Sequence, residues 1–196
     1  MNAELVRANL EAIRAVAGPA VTIVAATKYV SLEEMAVLAE AGVDVVGENR
    51  AQDLLAKHTA YGSVFRWHFI GHLQSNKVKA LNPMCELVHS LDSDSAAARL
   101  TVPGLLEVNL SGEDSKSGVS PDEIGPFLAR HPGVVHGLMT MPPLAGDAEA
   151  SRPWFQRLRS LAEEHGLEQL SMGTSQDWRV AVEEGASHIR IGKTLF

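Results

Sequence analysis

The sequence predicts an α/β fold in which eight parallel strands alternate with helices behind one leading helix, an arrangement that can close into a (β/α)8 barrel. Two observations lead there. Short apolar, β-prone runs alternate with helix-forming segments from residue 21 onward, and these units nearly exhaust the 196 residues. Such alternation implies parallel pairing through right-handed crossovers, and eight closed units leave no open edge. A doubly wound open sheet is the rival, differing in a strand order that the sequence does not display.

Residues 2–17 put Leu5, Leu10, Ile13 and Val16 near one helical stripe, and Gly18-Pro19 stops the pattern. VTIVAATK follows as a strand without clean alternation, as expected for one covered on both faces. SLEEMAVLAEAG is a helix with Ser31 as N-cap, Glu34 at the capping-box position and Gly42 at its end. The same unit recurs as VDVVGEN and RAQDLLAKH, FRWHFIGH and LQSNKVKAL, then CELVHSL and DSDSAAARL. GLLEVNL leads to a helix opened by Ser120-Pro121, VVHGLMT to a helix over 151–165, and LEQLSMG to SQDWRVAVEEG; SHIRIG is the eighth strand.

Seventeen Lys and Arg against 24 Asp and Glu give a formal charge of −7 without any dense basic block, which argues against polyanion or anionic-membrane surfaces. A 45% hydrophobic chain of this length buries one core, so residues 1–196 are expected to form a single domain that includes the helix over 2–17. The single Cys85 makes no internal disulfide, and no Cys/His spacing matches structural zinc. With neither a secretory leader nor an apolar run of 18 residues, a cytoplasmic location is expected.

Chemistry in a parallel barrel sits where strands empty into the loops before the helices. Lys28 directly follows the first strand, where its amine either forms a Schiff base with an aldehyde or extends to solvent. After the second strand, Asn49 can hydrogen-bond a ligand and Arg50 can pair with a carboxylate. His68 and His72 lie four apart on a glycine-interrupted strand-loop, which does not align metal ligands, so no metal is expected. Lys116 stands in a Gly/Ser-rich loop as a candidate anion contact, and Met139 and Met141 are read as core or as a ligand face. SMGTSQ places Ser171, Gly173, Thr174 and Ser175 before a helix, where N–H groups and hydroxyls can cradle phosphate; capping by Ser175 explains part of the same pattern. IRIGKTLF adds Arg190, Gly192 and Lys193; its GKT has the wrong spacing for a Walker loop. A lysine apart from a phosphate seat suits an aldehyde with a phosphate arm, such as pyridoxal phosphate, and phosphosugar enzymes fit nearly as well.

Together, ATKYV, GENRAQDLL, WHFIGHLQSNK, NLSGEDSKSGV, HGLMTM, SMGTSQDW and HIRIG closely resemble the YggS/PROSC family of pyridoxal phosphate homeostasis proteins, from about residue 21 to the end. The resemblance implies an alanine-racemase-like TIM barrel without that enzyme's second domain, and hence a monomer. It implies management of the vitamin B6 cofactor within the cell without established catalysis, with pyridoxal phosphate-dependent enzymes as recipients; the alternative is an amino-acid racemase using the same cofactor. Lys28 would hold pyridoxal 5'-phosphate as an internal aldimine, with Asn49 near the ring and Arg190 facing the pyridine nitrogen. Ser171, Thr174 and Ser175 complete the cofactor-binding set with Gly192 and Lys193, whose backbone would hold the phosphate together with Ser175. Lys116 would give a secondary anion contact or a transient aldimine. Two departures stand out. SMGTS replaces the family's frequent SMGMS, and RIGKTLF replaces RIGTAIFG, so that Lys193 takes the place of a threonine and alters the side-chain geometry of the phosphate seat.

Overall fold

The computed structural model describes residues 1–113 and 116–196. Helix α1, Ala3–Ala17, starts where the Asn2 side chain accepts the Leu5 N–H at 3.1 Å, and it ends at Gly18, whose φ is 79°. Its buried face is Val6, Leu10, Ile13 and Ala17. The stripe expected through Leu5 and Val16 is therefore rotated: both lie on the exposed side, at 55% and 47% exposure. A 4-3-4 spacing tracks the 3.6-residue repeat closely, whereas a path from Leu5 to Leu10 leaves the face.

Eight strands follow: β1 Thr22–Ala26, β2 Val45–Glu48, β3 Arg66–Phe69, β4 Leu87–Leu91, β5 Gly104–Glu107, β6 Val135–Met139, β7 Gln169–Thr174 and β8 His188–Ile191. Each pairs in parallel with the next, and β8 closes on β1 through Val24 opposite Arg190. The sheet is thus a closed barrel with sequential strand order, which excludes the open-sheet rival. The crossovers are α2 Met35–Glu40, α3 Ala51–Tyr61, α4 Val78–Leu81, α5 Asp94–Ala97, α6 Ile124–Arg130, α7 Arg152–Glu164 and α8 Trp178–Glu183.

Several crossovers are shorter than the sequence suggests. Ser31 and Glu34 do make the reciprocal capping-box bonds, at 3.0 and 3.2 Å, but regular helix begins only at Met35. The LQSNKVKAL segment spends its first residues on a turn closed by the Lys77 N–H on the Gln74 carbonyl, leaving one helical turn in α4. Most of the core lies between barrel and helices, where Leu38, Leu54, Phe127, Phe155, Leu158 and Ile189 are fully shielded. A separate small cluster of Leu87, Leu105 and Met139 comes from β4, β5 and β6. No helix among the described residues is long and apolar enough to cross a membrane.

Candidate functional site

Lys28 leaves the end of β1 on an exposed turn, with its Nζ 4.8 Å from the centre of the Tyr29 ring. The backbone beneath it is tightly held. Buried Lys57, from α3, donates to the Thr27 carbonyl at 2.8 Å and to the Glu48 carboxylate, which also accepts the Thr27 hydroxyl at 2.7 Å. Glu48 then receives the Asn49 N–H at 3.3 Å. This ion pair joins the exits of β1 and β2, the two segments that present Lys28 and Asn49. The Asn49 Oδ1 is buried without a partner among the described residues. Gly71 makes that placement possible, because a Cβ there would fall 1.9 Å from the Asn49 carbonyl oxygen.

A candidate anion seat lies next to these groups. The N–H groups of Gly192 and Thr194 converge on the Ser175 hydroxyl oxygen at 3.1 and 3.4 Å, and a Cβ on Gly192 would be 3.8 Å from the Ala26 carbonyl, two residues before Lys28. Two convergent backbone donors around one oxygen suit phosphate. Gly173 brings β7 onto α8: its φ is 89°, and a Cβ there would meet that of Ala181 at 2.5 Å. Thr174 is engaged elsewhere, giving its N–H and its hydroxyl to Asp177 at 2.7 and 3.1 Å. The exposed Lys193 side chain stands beside the seat, and the second convergent N–H belongs to Thr194.

Arg190 reaches from β8 past the neighbouring β7 to the end of β6. Its Nη1 donates to the Ser171 hydroxyl, and its Nη2 lies 3.1 Å from the Thr140 carbonyl and 2.8 Å from the Met141 sulfur. Burial lowers the guanidinium pKa to about 10, opposed by the negative charges of Glu107 and Asp177, so the group stays cationic at neutral pH. Ser171 is fully buried and does not reach the anion seat; its oxygen lies between Arg190 and His89.

The rim on the β5 and β6 side encloses a cavity of about 400 Å³ lined by Glu107, Asn109, Lys116, Ser117, Met141 and Leu144. Lys116 Nζ is 3.3 Å from the Met141 carbonyl and 3.8 Å from Glu113. Burial raises the Glu107 pKa even though the Ser117 hydroxyl donates to it at 2.8 Å. Met139 belongs to the core cluster, while Met141 contacts Arg190. Asp114 and Ser115 of this loop lie outside the described residues. Among the described residues, no group of three or more His, Cys, Asp or Glu is placed to hold a metal.

Lys28, Asn49, Ser175, Gly192 and Arg190 thus share one end of the barrel, with a free amine, an unpaired amide oxygen, an anion seat and a fixed cation. Sequence reasoning passed over Thr194, His89 and the Glu48–Lys57 pair. For Thr194, the signal was the GKT segment itself, read for its lysine instead of for the next N–H; Glu48 lies in GENRAQDLL, which was read for Asn49 and Arg50, while Lys57 and His89 carry no motif.

Residues 1–196 match the family model for the N-terminal domain of alanine racemase. The pyridoxal phosphate homeostasis protein of Aquifex aeolicus is 41% identical over 191 residues, covering 87% of this chain and 84% of that relative. That of Deinococcus radiodurans is 38% identical over 212 aligned positions, covering both chains fully. Among solved structures, PipY of Synechococcus elongatus PCC7942 with pyridoxal phosphate bound superposes with a TM-score of 0.90 at 30% identity, covering 97% of this chain and 99% of that one. A lysine/ornithine decarboxylase from Vibrio vulnificus is similar in fold, with a TM-score of 0.74 at 14% identity over 62% of its length.

Proposed function

The chain belongs to the YggS/PROSC family of pyridoxal phosphate homeostasis proteins, and on that premise we propose that it binds pyridoxal 5'-phosphate at the barrel mouth, with Lys28 as covalent anchor, and serves vitamin B6 homeostasis as a carrier. When bound, this cofactor supplies an aldehyde carbon for an amine and an electron-withdrawing pyridine ring. The observation that carries the reading is the joint placement of an exposed lysine amine, two backbone N–H groups converging on the Ser175 oxygen, and a buried arginine.

The residues fit the group. Gly192 and Thr194, which donate to the Ser175 oxygen, would hold a phosphate oxygen with it, and the Lys28 amine lies at the adjacent strand end. Asn49 Oδ1, buried and unpaired, offers an acceptor beside the ring. Arg190 would face the ring nitrogen as a permanent donor, which would oppose protonation there and weaken the ring as an electron sink. Such a ring favours holding over turnover. Racemase chemistry also needs a second acid–base group across the ring. Tyr29 is 84% exposed beside Lys28, and Tyr61 packs against Phe65 at the end of α3. The recipients in this reading are pyridoxal phosphate-dependent enzymes, and the carrier acts as a cytoplasmic monomer.

The test is an absorption spectrum with and without added cofactor, followed by borohydride reduction and peptide mapping. A saturable, lysine-dependent absorption band in the aldimine region, with reduction trapped on Lys28, is the expected result. Lys28→Ala should abolish trapping while shifting stability by no more than about 0.5 kcal/mol, because the side chain is exposed. No spectral change at saturation, or trapping confined to Lys116 or Lys193, rejects the assignment. Racemisation of an amino acid by the loaded protein would favour the enzyme alternative.

A further inference from the structure

Three histidines occupy the interior of the barrel. His89 on β4 contacts Ser171 on β7, and these strands are not neighbours, so the contact crosses the barrel. His89 Nδ1 is 2.7 Å from the Ser171 oxygen, and its Nε2 is 2.9 Å from His68 Nδ1 on β3. His188 on β8 completes the cluster, its ring centre 5.4 Å from that of His89 and 5.9 Å from that of His68. His68, His89 and Ser171 are all but fully buried.

One arrangement of the protons in this chain leaves the fewest buried groups unpaired. Arginine carries donors alone, so the Ser171 oxygen accepts from Arg190; its single hydroxyl proton then pairs with His89 Nδ1, whereas a His89 Nδ1–H donating to the second lone pair would leave that proton and the His68 Nε2 lone pair both unpaired. His89 must then carry its proton on Nε2 and donate to His68 Nδ1. His68 in turn carries its proton on Nε2, an atom buried without a partner among the described residues. Both rings are neutral in this arrangement. Burial favours the same state, lowering the His68 pKa to about 3 and holding that of His89 well below its ordinary value.

We propose that Ser171 and His89 are positioning residues, forming with His68 a one-way hydrogen-bond relay that fixes the Arg190 guanidinium before any ligand arrives. Its cofactor-directed part rests on the reading that Arg190 faces the pyridine nitrogen; the relay itself does not. Of the five N–H donors of Arg190, the Ser171 hydroxyl, the Thr140 carbonyl and the Met141 sulfur engage three, leaving one Nη1–H and the Nε–H. The anchors come from rigid strands and from the rim, so the guanidinium meets the ring without a search over rotamers. A serine expected to touch the cofactor acts instead one contact behind it.

Two measurements test the relay. Nitrogen-15 NMR of the ligand-free protein should show His89 and His68 as neutral Nε2–H tautomers at pH 7. An Nδ1–H tautomer at His89, or a doubly protonated ring, overturns the proposal whether or not pyridoxal phosphate binds. In the second, pyridoxal phosphate is titrated into wild type, Ser171→Ala, Ser171→Thr and His89→Phe, with the absorption spectrum recorded. Ser171→Ala and His89→Phe should weaken binding roughly tenfold and shift the absorption maximum, with trapping still on Lys28, while Ser171→Thr restores both because it keeps the hydroxyl. Wild-type spectrum and affinity in Ser171→Ala overturn the positioning role. Failure of wild type to bind removes the proposed function, and the tautomers then decide the relay alone.

Discussion

Asn49 is held in place by a residue with no side chain. Gly71 passes so close to the Asn49 backbone that a single methyl group would overlap the carbonyl oxygen, and the Gly71 carbonyl is itself tied to the Ser90 hydroxyl. The strand therefore cannot shift to make room without breaking that bond. Gly71→Ala should cost on the order of 1–3 kcal/mol in chemical denaturation and move the Asn49 amide resonance; an unchanged midpoint would show that the two loops yield freely. The same close view separates Lys193 from its neighbours. Its charge is exposed at the edge of the anion seat, while the convergent donors are the backbone N–H groups of Gly192 and Thr194. Backbone donors survive substitution, which is why RIGKTLF still presents two convergent N–H groups despite its departure from the family pattern.

At the scale of elements, α3 does more than cover β2 and β3. Through Lys57 it sends a buried cation to the ends of β1 and β2, where Glu48 and the Thr27 carbonyl share it. Removing one partner of such a pair leaves an uncompensated buried charge, whereas removing both leaves apolar volume to fill. Lys57→Met should thus lower unfolding stability by roughly 3–5 kcal/mol, and the Glu48→Met/Lys57→Met double variant should regain most of it. Urea denaturation of the two variants decides the matter, and equal losses would contradict a coupled pair. Helix α1 is anchored to the other side of the site: Asn9 donates to the Leu195 carbonyl at 3.2 Å, and the Leu195 N–H returns to the Gly192 carbonyl at 2.8 Å. The leading helix thereby steadies the segment that carries the anion seat.

For the whole molecule, the acidic net charge says little about stability against pH, because the decisive groups are buried and neutral. His68 and His188 have folded-state pKa values near 3 and 4, against 6.5 when free, and that of His89 is well below 6.5; burial is the largest cause for each. A depressed folded value means that the unfolded chain binds protons which the native barrel refuses. The resulting stabilisation is complete above about pH 6.5 and drains away as pH falls toward the folded values. Between pH 6 and 5 each histidine should contribute a loss approaching about 1.4 kcal/mol per pH unit. Denaturation curves at pH 7, 6 and 5 should show this slope, with proton uptake on unfolding, while a flat profile would mean that the cluster is charged or open to water.

The sequence by itself determined the number of strands and their alternation with helices along the chain, because an apolar run that is covered on both faces, followed by a helix, is a local pattern written in neighbouring residues. It also brought Lys28, Asn49, Ser175, Arg190 and Gly192 into view, since strand ends are where a parallel barrel exposes polar groups. Closure of the sheet, the face that α1 buries and the length of each crossover were decided by tertiary packing, which rotates or trims any helix whose apolar stripe does not meet the barrel. The same holds for the supports of the site. Glu48 with Lys57, His89 with Ser171, and Ser171 with Arg190 are joined across 9, 82 and 19 residues of chain. Only the closed barrel brings such groups within hydrogen-bond distance, and only its dry interior makes each unpaired donor costly enough to set the direction of the chain.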